Sequence, residues 1–222
     1  MKFDLLTIFP ECLDSYFSSS ILARAQKNKL IEINTHDIRE QAGNKHNTVD
    51  EPPYGGGPGM VLKIEPVYKT LKKIYKIKNK NTQVILLTPR GETLTQTKVK
   101  ELAKYKRLIL IAGHYEAIDA RIDNFIDQKI SLGNFIMTGG ELAAATLIDS
   151  VARLVPGVLG KAESLDDESF SEYNKKTKEF NIEYPQYTRP EEFKGLKVPE
   201  VLLSGNHQKI KEWREKQTKF RA

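Results

Sequence analysis

Ser131-Leu-Gly-Asn-Phe-Ile-Met-Thr-Gly-Gly-Glu141 is the stretch around which the chain is organised. Glycines bracket an apolar run, so the backbone is expected to turn at Gly133 and again at Gly139 and Gly140. Thr138 precedes a helical pattern and Glu141 follows three residues later, the spacing of a capping box. Ala144, Leu147, Ile148, Val151 and Leu154 then recur at three- and four-residue steps and draw one apolar face. Asp149 and Arg153 fall on the opposite face, one turn apart, before Pro156 and Gly157 stop the helix. A glycine-bent loop that feeds a helix start exposes free backbone N–H groups and suits a polar ligand. The same spacing also describes an ordinary strand-to-helix connection.

Outward from this stretch, strands and helices alternate. Lys2 to Phe9 reads as a buried strand ended by Pro10, Ser20 to Lys29 as a short helix, and Ile31 to Ile38 as a strand. Residues 39–60 carry no apolar period and read as a long loop, a kind usually functional or disordered. A helix is expected over Glu65–Tyr75, a strand over Gln83–Thr88, a helix over Thr95–Tyr105 and a very apolar strand over Leu108–Ala112. This alternation implies an α/β fold, a parallel sheet with helices on both faces and ligands at the carboxyl ends of the strands. The loops Thr88–Gly91, Gly113–Asp119 and Leu132–Gly140 are expected to meet there. Residues 1–160 form one expected domain, and 161–184, polar and charged, a flexible linker. Residues 185–222 form a small helical unit whose last helix, Lys209–Phe220, is capped by Ser204 or Asn206.

The 222 residues suffice for a core without covalent staples. A single cysteine, Cys12, excludes an internal disulfide and any Cys-based zinc site, and no metal site is expected. No apolar run has the length of a membrane span and the first residues do not resemble a signal peptide, so a cytoplasmic protein is expected. The net charge of +6 is unevenly spread. Lys69 to Arg107 holds 12 Lys or Arg against Glu92 and Glu101, whereas residues 108–170 hold 4 basic and 10 acidic groups. Basic regions flanking an acidic centre suit a polyanion gripped around a site that handles a cation or a proton. Lysines decorating solvated faces would give the same count.

Three further stretches can carry chemistry. Tyr54-Gly-Gly-Gly-Pro-Gly-Met60 removes side chains where something planar could approach the main chain. It is neither a P-loop nor a dinucleotide fingerprint, since no Gly-Lys-Ser/Thr follows and Met60 replaces the third glycine. Asp50 and Glu51 lie upstream and can accept from a base edge, and His46 is either active on RNA or a solvated bystander. Gly113-His-Tyr-Glu-Ala-Ile-Asp119 follows the most apolar strand, so Glu116 either balances a cationic ligand or faces a helix dipole. Asp166-Asp-Glu-Ser169 places carboxylates in the linker, as solvent decoration or as a delivered general base.

Taken together, these residues resemble a known family. His46-x-Thr-Val-Asp50-x-x-Pro-Tyr-Gly-Gly-Gly-Pro-Gly-Met60, Met137-Thr-Gly-Gly-Glu-Leu142 and Thr146-Leu-Ile-Asp-Ser-Val-x-Arg153 stand in order. Pro156-Gly-Val-Leu-Gly160, Tyr187-Thr-Arg-Pro190 and Val201-Leu-Leu-Ser-Gly-Asn-His207 follow. The chain resembles the bacterial tRNA (guanine-N1)-methyltransferases of the SPOUT, or trefoil-knot, class, from Phe9 to about Gln217. The resemblance implies a deep knot, rare among folds, and a homodimer with its active site at the subunit interface. It also implies methylation of N1 of the guanosine immediately after the anticodon of tRNA, with S-adenosylmethionine as donor.

By the same resemblance Glu168 is the general base, with Asp167 as fallback, and Arg153 stabilises charge on the guanine oxygen. The donor would be held by Leu87, Gly113, Tyr115, Glu116, Leu132, Gly133, Asn134, Phe135, Ile136, Met137, Gly139 and Gly140. The target base would be held by Asp50, Tyr54, Gly55, Pro58 and Gly59. Beside Glu168, where many members carry aspartate, four departures stand out: His114 and Ala117 for arginine and glycine, Ala143 for proline, a longer segment 171–183 without the usual Gly-Leu-Leu, and a chain that stops at Ala222 where relatives continue with further basic helices. Two other functions compete: a non-catalytic tRNA-binding relative, and a nucleotide-dependent oxidoreductase suggested only by the alternating elements.

Overall fold

A computed structural model describes residues 1–160, 168–171, 173–174 and 179–221. The chain forms two compact units, Met1–Gly160 and Lys161–Ala222. In the first, β1 (Lys2–Thr7) leads through α1 (Asp14–Phe17) and α2 (Ser20–Lys27) to β2 (Glu32–Asp37). Two short strands, β3 (Asp50–Glu51) and β4 (Val61–Leu62), precede α3 (Ile64–Ile74). Then come β5 (Thr82–Thr93), α4 (Gln96–Leu102), β6 (Arg107–Ala112), β7 (Ala117–Ile118), β8 (Gln128–Ser131) and α5 (Glu141–Ala152).

The central sheet runs β2-β1-β6-β5-β8, and every pairing in it is parallel. The two-residue period of the strands sends alternate side chains to opposite faces. Phe3, Leu5, Ile85, Leu87, Leu108 and Leu110 face one way, where they meet α2, α4 and α5 through Leu22, Val99, Leu147 and Ile148. Leu6, Val84, Leu86, Ile109 and Ile111 face the other way, where α3 packs through Val67 and Leu71. Ile38 and Ile122, each in a 3-10 turn, close that second layer. The expected α/β architecture with helices on both faces is the one observed.

The sheet order has a consequence for the path of the chain. After β6 it crosses β5 to build β8 at the edge, and then α5 returns to pack on β6 and β1. The loop 132–140 makes that return journey.

Several expected boundaries shift. Residues 39–60 are not structureless: Ile38–Gln41 is a 3-10 turn and Asp50–Glu51 pairs with Val61–Leu62. The β3-β4 pair continues onto β7, which ties the loop to the far end of β6. Thr95 caps α4 by accepting from the Lys98 backbone N–H at 3.3 Å. Helix α1 escapes the sequence pattern because four residues are too few to show a period, yet it buries Phe17. The capping box at Thr138 is overturned. Gly140 is the residue before α5, no side chain caps the helix, and the Glu141 carboxylate instead accepts from the Thr7 hydroxyl at 2.7 Å.

In the second unit, β9 (Tyr173–Asn174) and β10 (Glu179–Ile182) stand where a linker is expected. A hairpin of β11 (Glu192–Phe193) and β12 (Leu196–Lys197) follows, then α6 (Glu200–Leu203), α7 (His207–Gln217) and β13 (Lys219–Arg221). Strand β10 pairs antiparallel with both β9 and β13, so this unit adds a small sheet to the expected helices. Asn206 caps α7, accepting from the Lys209 N–H at 3.1 Å. The Ser204 hydroxyl instead donates to the Val201 carbonyl. Asp166 and Asp167 lie outside the described residues.

One buried charge group ties β1, β2 and β6 together near the amino end of the sheet. Asp4, 1% exposed, accepts from Arg107 Nε at 2.7 Å and pairs with His36 Nε2 at 2.7 Å. Arg107 also donates to the Ile74 carbonyl at the end of α3. Burial alone would raise the Asp4 carboxyl, but the hydrogen bonds from His36 and Arg107 outweigh it and hold the group below its usual range. A depressed carboxyl contributes stability above the unfolded value, near 4, and loses it as pH falls through the folded value. Asp4→Asn should therefore lower stability by roughly 1–3 kcal/mol at pH 7, since it removes the charge partner of the half-buried Arg107. The gap from wild type should narrow below about pH 4, as read by urea unfolding across pH.

Candidate functional site

At the carboxyl ends of β5, β6 and β8 three loops enclose a cavity of about 510 Å³. Strand β5 pairs Ile130 twice, at Leu87 and again at Glu92, so residues 88–91 arch out of the sheet and form one wall. Gly113 to Ile118 form the second wall and Leu132 to Gly140 the third. The third wall is held by main-chain contacts at both ends. Leu94 N donates to Ser131 O at 2.8 Å, and Gly140 N donates to Gly113 O at 2.8 Å. A Cβ on Gly140 would lie 2.9 Å from Ala112 Cα and 3.0 Å from Gly113 N, both backbone atoms that have no room to give. Glycine is needed there because two main chains touch.

Of the residues expected to hold a donor, Leu87, Gly113, Tyr115, Glu116, Leu132, Gly133, Phe135, Ile136, Met137, Gly139 and Gly140 all line this cavity. Asn134 is in the same loop but not in the lining. The rim is apolar and open, with Phe135 and Ile136 exposed, the latter 83%. Charge enters from three sides: Glu116 on the second wall, Arg90 on the arch, and an Asp123–Lys129 ion pair of 2.6 Å. Just beyond, Arg121 grips Asp119 with several hydrogen bonds, and these hold the Asp119 carboxyl below its usual range.

The glycine-rich loop reaches this rim by backbone pairing. Glu116 N donates to Met60 O at 3.1 Å and Asp119 N to Leu62 O at 2.9 Å. Gly59 lies directly against the Glu116 side chain. Gly55, Gly56, Gly57 and Gly59 all take positive φ, and Tyr54 projects fully into solvent. Asp50, half-buried, anchors the base of the loop in β3, while Gly55 and Pro58 form its exposed crown. His46 stands exposed in the approach to this loop.

Arg153 is placed differently from these groups. It is the C-cap of α5, its N–H donating to Asp149 O, and it is not among the cavity-lining residues. The cavity touches the first turn of α5 at Ala143, so Arg153 lies about 15 Å along the helix from it. Asp149, half-buried one turn earlier, is hydrogen-bonded to the Tyr16 phenol, which burial and the Asp149 charge hold above its usual value. Glu168 belongs to the second unit, where its carbonyl accepts from the Asn181 amide at 3.1 Å.

Thr88, Pro89 and Arg90 line the cavity where the loop Thr88–Gly91 is expected, and only their arching between two pairings on Ile130 carries no sequence signal. Ile122 and Asp123 enter from a 3-10 turn. Among the described residues no cluster of His, Cys, Asp or Glu is arranged to hold a metal, and no helix is long and apolar enough to cross a membrane.

Comparison with known proteins supplies a context for this geometry. The sequence matches the family described as tRNA (Guanine-1)-methyltransferase TrmD over residues 1–222. It is 51% identical over 218 residues to a tRNA (guanine-N(1)-)-methyltransferase of Clostridium perfringens (strain ATCC 13124), covering 98% of this chain and 88% of that protein. It is 47% identical over 220 residues to the protein of the same name from Clostridioides difficile (strain 630), covering 98% and 92%. The fold is similar to the crystal structure of tRNA (m1G37) methyltransferase from Aquifex aeolicus, with a TM-score of 0.76 and 39% identity. That likeness covers 96% of this chain and 87% of the other.

The Gly140 contact makes a direct test of how the cavity is built. Gly140→Ala should cost roughly 1–3 kcal/mol, because the added methyl parts two main chains. Gly160→Ala, with nothing within 4 Å of the new Cβ, should stay within about 0.5 kcal/mol of wild type. Denaturant midpoints of the two variants decide between a load-carrying contact and an incidental one.

Proposed function

The chain belongs to the tRNA (guanine-1)-methyltransferase family, and on that premise we propose that it methylates N1 of the guanosine immediately after the anticodon of tRNA. S-adenosylmethionine is the proposed donor, and it supplies an electrophilic methyl group on a sulfonium sulfur. The observation that carries the reading is the cavity walled by bare main chain at the carboxyl ends of β5, β6 and β8. Its volume suits one small molecule, and Glu116 on its wall offers a carboxylate to a cationic ligand. The backbone N–H groups and apolar rim of the 132–140 loop fit a donor with an adenine plane and a polar tail.

The chain's own residues then have distinct tasks. Guanine N1 carries a proton at neutral pH and must lose it before it can accept a methyl group. Glu168 is the proposed acceptor of that proton, a step typically worth roughly 10²–10⁴-fold. Deprotonation leaves negative charge on the guanine oxygen, which the Arg153 guanidinium is proposed to stabilise. The loop from Asp50 to Gly59, with Tyr54 projecting and its glycines without side chains, is proposed to receive the base. Lys209, Lys211, Arg214 and Lys216 on α7 are proposed phosphate contacts.

Arg153 sits at the far end of α5 from the cavity of its own chain. This supports a homodimer in which each Arg153 serves the cavity of the other subunit. A cytoplasmic enzyme that pairs with a second copy of itself completes the reading.

Transfer of labelled methyl from S-adenosylmethionine to an unmodified tRNA transcript tests the activity. Incorporation at guanine N1 is expected. No incorporation alongside intact tRNA binding would favour a non-catalytic tRNA-binding protein instead. Arg153→Ala should lower turnover by roughly 10²–10³-fold with little change in donor affinity. Mixing Arg153→Ala subunits with Glu116→Ala subunits, each inactive alone, should restore about a quarter of the wild-type rate if the arginine acts across the dimer. Mixed dimers that stay silent would place Arg153 at its own subunit's cavity.

A further inference from the structure

Beneath the second wall of the cavity lies a buried polar group that the proposed chemistry does not use. The Thr7 hydroxyl, at the end of β1 and wholly buried, donates to Glu141 Oε1 at 2.7 Å. The same Thr7 oxygen accepts from the Phe9 N–H at 3.0 Å. The second carboxylate oxygen, Glu141 Oε2, faces His114 Nδ1 at 3.8 Å. Between them passes Gly139, where a Cβ would fall 2.3 Å from Glu141 Oε2 and 2.5 Å from His114 Nδ1. The Phe9 ring meets the His114 ring edge-on at 5.0 Å, and Tyr115 meets it edge-on at 5.1 Å. Thr7 therefore fixes two of the three groups that surround the imidazole.

His114 Nδ1 is the one buried side-chain nitrogen or oxygen without a hydrogen-bond partner among the described residues. Its nearest carboxylate oxygen, Glu141 Oε2, stands 3.8 Å away, a gap slightly longer than a hydrogen bond. The neighbouring backbone is strained: Tyr115 has φ +61°, a left-handed conformation rare for a bulky side chain. Such a conformation persists only where its surroundings over-determine it, and it concentrates at functional loops. Here His114 bridges to Gly139, Gly113 O accepts from Gly140, and Met60 O accepts from Glu116. Tyr115 and Glu116, the next two residues, line the cavity.

We infer that Thr7, Glu141 and His114 form a positioning relay that holds the Tyr115–Glu116 wall of the cavity in its donor-binding geometry. This rests on S-adenosylmethionine being the donor. Thr7 acts through Glu141 and Phe9 and is not itself part of the lining. Removing its hydroxyl frees the carboxylate and the Phe9 backbone at once, and the histidine loses two of its three supports. The relay acts on donor binding and leaves the proton transfer to other residues.

Paired substitutions at Thr7 test this in the full chain. Thr7→Val keeps the shape and removes the hydroxyl, while Thr7→Ser keeps the hydroxyl. Calorimetric titration with S-adenosylmethionine should show roughly tenfold weaker binding for Thr7→Val and less than about a twofold change for Thr7→Ser. Turnover at saturating donor should stay within about threefold in both, so the loss appears in KM and not in kcat. His114→Asn, which keeps an N–H near the Nδ1 position, should bind better than His114→Leu. Unchanged affinity in Thr7→Val, or equal loss in the serine and valine variants, would overturn the relay while the donor reading stands. A wild-type chain that binds no S-adenosylmethionine would overturn the donor reading itself, and the relay with it.

Discussion

The main-chain contact between Gly140 and Gly113 is the constraint on which the rest of the first unit depends. Because the sheet order places β8 at the edge and α5 back over β6, the connecting segment must recross the carboxyl ends of the strands. Nothing bulkier than glycine lets it pass flush with the end of β6. One hydrogen bond, Gly140 N to Gly113 O, then fixes three things together. It starts α5, it closes the cavity between the second and third walls, and it sets the height of the loop that carries His114, Tyr115 and Glu116. The apolar layers of the sheet are broad and would tolerate exchange of similar side chains. At Gly140, by contrast, even one added methyl meets backbone atoms of Ala112 and Gly113.

How much of this was legible in the sequence follows from the range of the interactions involved. The parallel sheet and its two covered faces were legible, because each central strand writes its alternation locally. Phe3 and Leu5 face one layer and Leu6 the other, as a two-residue period requires. The meeting of three loops at the strand ends follows from that topology alone. The capping box was misread because Thr138 and Glu141 have the right spacing while the partner that wins is 134 residues away. A buried Thr7 hydroxyl competes for the carboxylate more effectively than an exposed backbone N–H, and no local pattern announces it. The arch at residues 88–91 and the small sheet of the second unit have the same origin, since both are set by pairings between distant segments. Donor, target nucleoside and residue roles came from resemblance; periodicity supplied only the place where they sit.

The charge pattern, two basic regions around an acidic centre, takes on a clearer sense in three dimensions. Part of the basic excess is spent inside the first unit: Arg107 holds Asp4, Lys98 bridges Glu92 and Glu101, and Lys73 reaches Glu40. Lys69, Lys72 and Lys76, on or just after α3, remain on an exposed surface. These exposed lysines are open to a polyanion without breaking an ion pair of the fold. The acidic centre is likewise divided. Asp119 and Asp123 are committed to Arg121 and Lys129, which leaves Glu116 as the carboxylate on the cavity wall. Net charge by segment therefore overstates what a ligand meets.

Helix α5 joins these features by having unlike ends. Its first turn belongs to the cavity and to the buried Thr7–Glu141 pair, so it cannot shift without disturbing the end of β1. Its last turn carries Asp149 and Arg153 on a face that its own cavity never meets. Between them, Ala143, Ala144, Leu147, Ile148, Val151 and Ala152 are buried in a single layer of the core, so the helix is rigid along its length. A rigid rod of this kind fixes the spacing between the cavity and a remote arginine far more tightly than a loop would. The proposed dimer rests on that spacing, because an arginine fixed this far from the cavity of its own chain can complete the proposed site only from a second copy.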